Sequence, residues 1–271
     1  RGKQLGSVRE RIMTLANIGR SDLVLDLNAR TGLLAFEAAR RTPEGGVWAL
    51  AHDSKSFATL KSLAEPFDPL QRPQILQTSF KTFIEDIKSV AGQSVVFDII
   101  IGRSVLRDTD DKTVLFERIL SLLGKKGKVV LSEPVSSEGQ RLTSLLVMSK
   151  IPDEIGALLL RTEQELYNDP DNPVVNWTSD SLKNQLSSVP GIRLDAEPVI
   201  DTQLRRFKGS DIEYWFRESS EPERKSLGQR LLDNCSLKEL ERLKLEIHKQ
   251  LDNREVSWKT VTFFITAKKM E

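Results

Sequence analysis

The sequence is short of the residues on which many protein chemistries depend. Among 271 residues it has one cysteine, Cys235, and two histidines, His52 and His248. A single thiol excludes an internal disulfide and a cysteine-based zinc cluster, and it fits a reducing compartment, which predicts a cytoplasmic location. Neither histidine has metal-ligand spacing with the other or with the cysteine, so no metal site is predicted. No run of about 18 or more apolar residues occurs, and the first residues lack the apolar stretch of a signal peptide, which argues against a membrane span and against secretion. An excess of one charge is also lacking: 40 Lys and Arg stand against 39 Asp and Glu. No global field therefore draws the chain to nucleic acid or to an anionic surface. The chain opens Arg1-Gly2-Lys3 without an initiator methionine, and the expectation is a piece of a longer protein.

What is present is an alternation of strand-like and helix-like segments. Ser7-Val8-Arg9-Glu10 has the spacing of a capping box, and Val8, Ile12, Leu15 and Ala16 share one face, which predicts a helix over 8–18. Leu23 to Leu27 reads as a strand, Leu33 to Arg41 as a helix, Val47 to Ala51 as a strand and Ser56 to Leu63 as a helix. A short strand at Gln74 to Gln77, a helix at Phe80 to Val90, and the apolar strand Phe97 to Ile101 continue the pattern. A helix at 110–123, an exit turn at Gly124 to Gly127 and a fifth strand at Lys128 to Leu131 complete it. Such alternation makes a mainly parallel, doubly wound α/β sheet, because its crossovers are right-handed and cover both faces. Further on, helices are predicted at 137–150, 153–167 and 179–187, and a strand at 192–200. A helical excursion near 204–254, with a capping box at Ser236-Leu237-Lys238-Glu239, precedes a last strand at 258–267. Without repeats or an obvious linker, the expectation is a single domain over 1–271 carrying that helical insertion.

The stretch Asp26-Leu27-Asn28-Ala29-Arg30-Thr31-Gly32 is the strongest functional signal. It closes a strand, forms a small polar loop and leads into a helix, the arrangement by which α/β proteins present a nucleotide-type ligand at a strand's carboxyl end. Asp26 reads as a ligand or loop-anchoring carboxylate, and Arg30 as a cation for an anion at the helix start or as a surface side chain. Glu133, at the end of the fifth strand, reads either as a carboxylate facing the cleft or, more plainly, as a loop carboxylate. Arg103 and Arg107 with Lys125, Lys126 and Lys128 suggest a phosphate-contacting rim, diluted by Asp108, Asp110 and Asp111. Arg205-Arg206-Phe207-Lys208 with Tyr214-Trp215-Phe216 reads either as a nucleic-acid or partner surface or, more plainly, as a helical segment packing its aromatics inward.

In its order of elements the chain resembles the class I S-adenosylmethionine-dependent methyltransferases. The resemblance is carried by the helix before the first strand, Asp26 at that strand's end, Gly32 opening the next helix, Phe97-Asp98 on the fourth strand, Gly124 and Gly127 before the fifth, and a final hairpin from 192–200 and 258–267. It implies a doubly wound, seven-stranded, mostly parallel sheet whose last strand is antiparallel, with an N-terminal helix and the helical insertion. It further implies S-adenosylmethionine (SAM) as cofactor and a site built from Asp26, Asn28, Arg30, Gly32, Asp53 and Ser79. In the family an acid precedes a Gly-x-Gly-x-Gly loop, and here Asn28 and Arg30 occupy the first two glycine positions. The loop is thus degenerate: glycines there allow positive φ and let the backbone approach the ligand. In Ala51-His52-Asp53, Asp53 stands slightly late for the acid that binds the ribose hydroxyls, and Thr78 and Ser79 stand where the adenine amino group is contacted.

The Asn/Asp-Pro-Pro-Tyr/Phe motif of nucleobase amino-methylating enzymes and the Pro-Cys nucleophile of cytosine-C5 enzymes are both absent, which leaves the methyl acceptor unassigned and small-molecule oxygen or nitrogen open. More faintly, the chain resembles the methyltransferase-like extension that follows the ATPase region in some bacterial replication-associated recombination ATPases of the AAA class. This implies a rival reading, a non-catalytic module (a pseudoenzyme) that acts with a partner domain or DNA. No phosphate-binding Gly-x-x-x-x-Gly-Lys-Ser/Thr occurs, so ATP hydrolysis by these residues is not expected.

Overall fold

The computed structural model describes residues 2–219 and 224–270. In chain order its elements are α1 (Gly2–Ala16), β1 (Leu23–Asp26), α2 (Ala35–Arg41), β2 (Gly46–Ala51), α3 (Ser54–Ala64), β3 (Gln74–Gln77), α4 (Phe83–Ala91), β4 (Phe97–Arg103), α5 (Lys112–Ser121) and β5 (Leu123–Pro134). There follow α6 (Asp153–Tyr167), α7 (Ser179–Ser187), β6 (Ile192–Arg206), α8 (Gly209–Phe216), α9 (Leu227–Leu232), α10 (Leu237–Leu251) and β7 (Glu255–Lys269). The strands form one seven-stranded sheet in the order β3-β2-β1-β4-β5-β7-β6. Pairings among β1 to β5 are parallel and β7 runs antiparallel to β5. This is the doubly wound sheet, antiparallel at its last strand, that the sequence pattern and the resemblance lead one to expect.

By its contacts the chain divides into two compact units. The first comprises Arg1–Pro134, Ser179–Val199 and Thr262–Glu271, and the second Val135–Thr178 and Ile200–Val261. The sequence pattern is legible as one domain with an insertion at 204–254; the helices α8 to α10 do lie in that span, but 135–178 packs with them.

The first unit is built on apolar strands. Val24 and Leu25 of β1, Ala49 and Leu50 of β2, and Ile100 and Ile101 of β4 are fully buried. Central parallel strands are covered on both faces, which is why β4 reads as a continuous apolar run. Its exception, Asp98, accepts a hydrogen bond from the Leu23 N–H at 2.9 Å and so ties the bottom of β4 to β1. Lys128 donates to the carbonyl oxygens of Leu15 and Ala16 and holds the last turn of α1. Asp53 and Asp111 cap α3 and α5, accepting from the N–H groups of Ser56 and Val114.

Three local expectations are corrected. The Ser7–Glu10 spacing is not a cap: α1 begins at Gly2, and inside it the Ser7 hydroxyl donates back to the Gln4 carbonyl. The turn expected at Gly124 to Gly127 belongs to β5, which starts at Leu123: Leu123 pairs with Phe97 and Lys128 with Ile99, so the extra residues between them bulge from β5. The helix expected over 137–150 is instead three short 3-10 turns, Ser136–Glu138, Thr143–Leu145 and Met148–Lys150, separated by extended backbone at Gly139, Leu146 and Val147.

The second unit has a core of its own. Phe207, Ile212, Leu231 and Ile247 are fully buried there with Leu159 of α6. Capping boxes at Ser226/Gln229 and Ser236/Glu239 open α9 and α10, the second as expected from the sequence. Among the described residues no helix is long and apolar enough to cross a membrane.

Candidate functional site

A cleft of about 460 Å3 opens in the first unit at the carboxyl ends of the parallel strands. Its walls include Asn28 and Arg30 after β1, His52 and Asp53 after β2, and Ser104 and Val105 after β4. In the order β3-β2-β1-β4-β5 the sheet reverses direction of growth between β1 and β4, and a crevice at such a switch point is where open α/β sheets take their ligands.

The loop after β1 is fixed from below. Leu27 N–H donates to the Ile101 carbonyl and Ala29 N–H to that of Leu50, so the chain leaves β1 pinned to β4 and β2. Asn28 donates from Nδ2 to the carbonyl oxygens of Arg103 at 2.9 Å and Ser104 at 3.1 Å, tying this loop to the one after β4. Of the two positions where the family resemblance calls for glycine, Asn28 keeps negative φ, while Arg30 has φ +47° and an exposed side chain. The left-handed region costs an L-residue roughly 1–2 kcal/mol, so Arg30 holds a glycine-like conformation without being glycine. Gly32 has φ +78°, and a Cβ there would lie 2.1 Å from the Phe36 ring, so a side chain would be strained and the ring would have to shift.

Beneath the loop lies Asp26, fully buried. Its Oδ1 accepts from the Asn28 N–H at 3.2 Å, and its Oδ2 has no hydrogen-bond partner. Burial pushes its pKa up to about 7, with the N–H groups of Asn28 and Ala35 opposing the rise. Glu133, at the end of β5, is its counterpart. It is also fully buried, accepts at Oε1 from the N–H groups of Val105 (2.8 Å) and Leu106 (3.1 Å), and leaves Oε2 without a partner. Burial again pushes the pKa up to about 7, against the pull of those N–H groups and of Lys112. Glu133 therefore clamps the loop after β4, in which Ser104 has φ +54°. A lone acid before proline at a strand's end looks like a loop residue in sequence, which is how its role escapes a sequence reading.

Asp53 is committed as the N-cap of α3, accepting from the Ser56 N–H at Oδ1 and the Ser56 hydroxyl at Oδ2, both at 2.7 Å. These bonds, with a smaller pull from Arg30, hold its pKa below the usual carboxylate value. Each carboxylate oxygen can accept more than one bond, so Asp53 keeps capacity for a ligand. His52 places Nε2 2.7 Å from the Leu27 carbonyl and Nδ1 3.1 Å from that of Thr78, and its ring lies 4.0 Å from the ring of Phe80. It bridges the ends of β1 and β3 as a structural residue.

Of the six residues expected from the sequence, Asn28, Arg30 and Asp53 line the cleft. Asp26 and Gly32 shape the loop without lining it. Ser79 is exposed and bonds within its own turn, to the Thr82 hydroxyl and the Lys81 N–H; its neighbours Phe80 and Lys81 line the cleft in its stead. The basic rim does not assemble, since Lys125, Lys126 and Lys128 sit at the start of β5, opposite the end where Arg103 leaves β4. Burial and the neighbouring Arg30 lower the pKa of Arg103, while Glu133 opposes the shift. His248 on α10 bonds Glu213 at 3.0 Å, and Trp215 and Phe216 pack against the second unit's core, the plainer of the two readings for that segment.

No protein-family profile matches the sequence, and no curated protein matches it. Solved structures do. The YcgJ protein of Bacillus subtilis aligns over 100% of this chain and 100% of its own with a TM-score of 0.57 at 14% identity. A candidate methyltransferase of Bacillus halodurans C-125 gives the same TM-score and identity over 98% and 100%. The plantazolicin methyltransferase BpumL, solved in complex with SAH, aligns at 0.51 and 10% identity over 99% and 90%. At such identities the shared property is the architecture: this chain has the class I methyltransferase fold.

Proposed function

We propose that the cleft binds SAM and that the chain is a methyltransferase-fold domain acting through it. The observation that carries this reading is the meeting, across one switch-point cleft, of an acceptor carboxylate after β2 (Asp53) and a cation-bearing left-handed loop after β1 (Arg30). The two ends of SAM ask for such a pair: hydroxyl donors on the ribose and a carboxylate on the methionine part. The cleft's volume falls within the roughly 300–1,000 Å3 range of small-molecule sites. In this reading Asp53 accepts from the ribose hydroxyls, Arg30 pairs with the methionine carboxylate, and Phe80 with Val105 supplies apolar wall for the adenine. Asn28, Asp26 and Glu133 are positioning residues that fix the two loops.

Bound SAM supplies a methyl group on a sulfonium, so that an acceptor nucleophile forms its bond to the methyl carbon as the carbon–sulfur bond breaks and sulfur keeps the electron pair. What the chain contributes is alignment and exclusion of water, the terms on which such a displacement chiefly depends. Calorimetric titration of the full chain with SAM and with SAH tests the proposal. Saturable binding is expected, weakened by at least about tenfold (~1.4 kcal/mol) in Asp53→Asn, which keeps an N-cap residue but removes the anionic acceptor. Absence of heat with both ligands at millimolar concentration would sink it.

A further inference from the structure

The second unit contains a cavity that, among the described residues, shares no lining residue with the cleft. Its volume is about 160 Å3. Leu142, Leu166, Tyr167, Trp215, Leu227 and Trp258 supply its apolar walls. We propose that this cavity is a binding site for a neutral, single-ring aromatic group. The inference stands apart from the reading of the cleft and survives its failure.

Size is the first argument. A cavity of roughly 150 Å3 is large enough for a molecule the size of benzene, and here Gln140, Glu163, Tyr214 and Ser226 stand beside the apolar walls. The walls are also held in place before any ligand arrives. Trp215 and Trp258 each lie 5.5 Å from the ring of Phe207, which is fully buried, so both indoles rest on a fixed support. Flat faces fixed in this way favour a flat guest, because aromatic pairs gain from offset or edge contacts beyond the area they bury.

Charge is the second argument, and it excludes ionic guests. The Arg205 guanidinium lies 4.9 Å from the centre of Trp258, and that of Arg141 lies 3.6 Å from the centre of Tyr167. Neither arginine is among the described lining residues, but each stands against a lining ring, so a cationic guest at that ring would be repelled by the guanidinium already there. Among the described lining residues the carboxylate is Glu163, and it is engaged by three donors: the N–H groups of Leu142 and Thr143 and the Thr143 hydroxyl. A cation would meet the neighbouring guanidinium groups and an acid already held by three donors, while an anion would meet that acid at close range. A neutral ring meets neither obstacle.

The test is a charge series on the full chain, followed by calorimetry and thermal shift, with benzyl alcohol, benzylamine and benzoate as probes of one ring size. Benzyl alcohol is expected to bind saturably and raise the melting temperature, and the two ions to bind at least about tenfold more weakly. Leu166→Trp, at a partly exposed wall position, fills the cavity and is expected to abolish the heat of binding while SAM titration at the cleft is unchanged. Equal binding of all three probes, no binding of benzyl alcohol at millimolar concentration, or unaltered binding in a folded Leu166→Trp would each overturn the assignment. The series on the unmodified protein decides the matter even if the variant does not fold.

Discussion

The loops after β1 and β4 solve the same problem in opposite ways. Each leaves the carboxyl end of a central parallel strand, each carries a non-glycine residue at positive φ (Arg30 and Ser104), and each lies over a fully buried acid with one unpartnered oxygen. The β4 loop is clamped by its acid, for Glu133 takes two backbone N–H groups at 2.8 and 3.1 Å. The β1 loop leans on its acid less, since Oδ1 of Asp26 takes one N–H at 3.2 Å. Its shape comes instead from a glycine against an aromatic ring and from the amide of Asn28 reaching across to the other loop. In the β1 loop the left-handed positions are Arg30 and Gly32, and the loop is held by Gly32 against Phe36 and by Asn28 on the neighbouring loop.

Three changes sharpen or break that contrast. Gly32→Val should have the largest effect. It combines a left-handed backbone penalty of about 1–2 kcal/mol with an overpacked contact against Phe36, itself stacked on Phe67, for a loss of about 5 kcal/mol in urea unfolding. A loss under about 1 kcal/mol would show that the β1 loop does not depend on this glycine. Next comes Glu133→Ala, which leaves two buried N–H groups without an acceptor and should cost about 3 kcal/mol at pH 6, where the acid is largely neutral.

The acids also set a pH dependence. Both Asp26 and Glu133 are neutral longer in the folded than in the unfolded chain, so their contribution is complete below the ordinary carboxylate range near 4 and is lost as pH rises to about 7. Carboxylates held low, such as Glu37 and Asp53, act in the opposite sense but below that window. Unfolding free energy should therefore fall between pH 5 and 7 by an amount on the order of a few kcal/mol, and the slope should be shallower in Glu133→Gln. Arg30→Gly should have the smallest effect on stability, a gain of about 1 kcal/mol from relief of the left-handed backbone, or a few degrees in melting temperature. The same change should weaken SAM binding, whereas tighter binding would mark Arg30 as an obstruction rather than a partner.

The sheet and the position of the cleft were legible because strand order and hydrophobic periodicity are written locally: an apolar run such as Phe97 to Ile101 has one economical reading. Asp26, Gly32 and Asp53 were legible as residues, but their work was not. That Asp53 caps α3, or that Glu133 clamps a loop some 28 positions away, depends on contacts that no spacing encodes. The segment 137–150 misled for a related reason. Leu142, Leu145 and Leu146 fall three and four apart as on a helix, yet Glu163 binds the N–H groups of Leu142 and Thr143, and tertiary contacts override the local periodicity. The second unit was missed as a unit because its core joins two stretches, 135–178 and 200–261, that look unrelated in sequence.

The place of β7 carries one more consequence. It is the last strand in the chain, yet it stands between β5 and β6, pairing Thr262 to Lys268 with Lys128 to Pro134. A nascent chain emerging from the ribosome thus presents β5 with a bare edge during the whole synthesis of 135–261, and β6 emerges before its neighbour exists. Open apolar edges are where unfinished proteins stick to one another. In this sheet β5 and β6 each keep such an edge until β7 is in place between them.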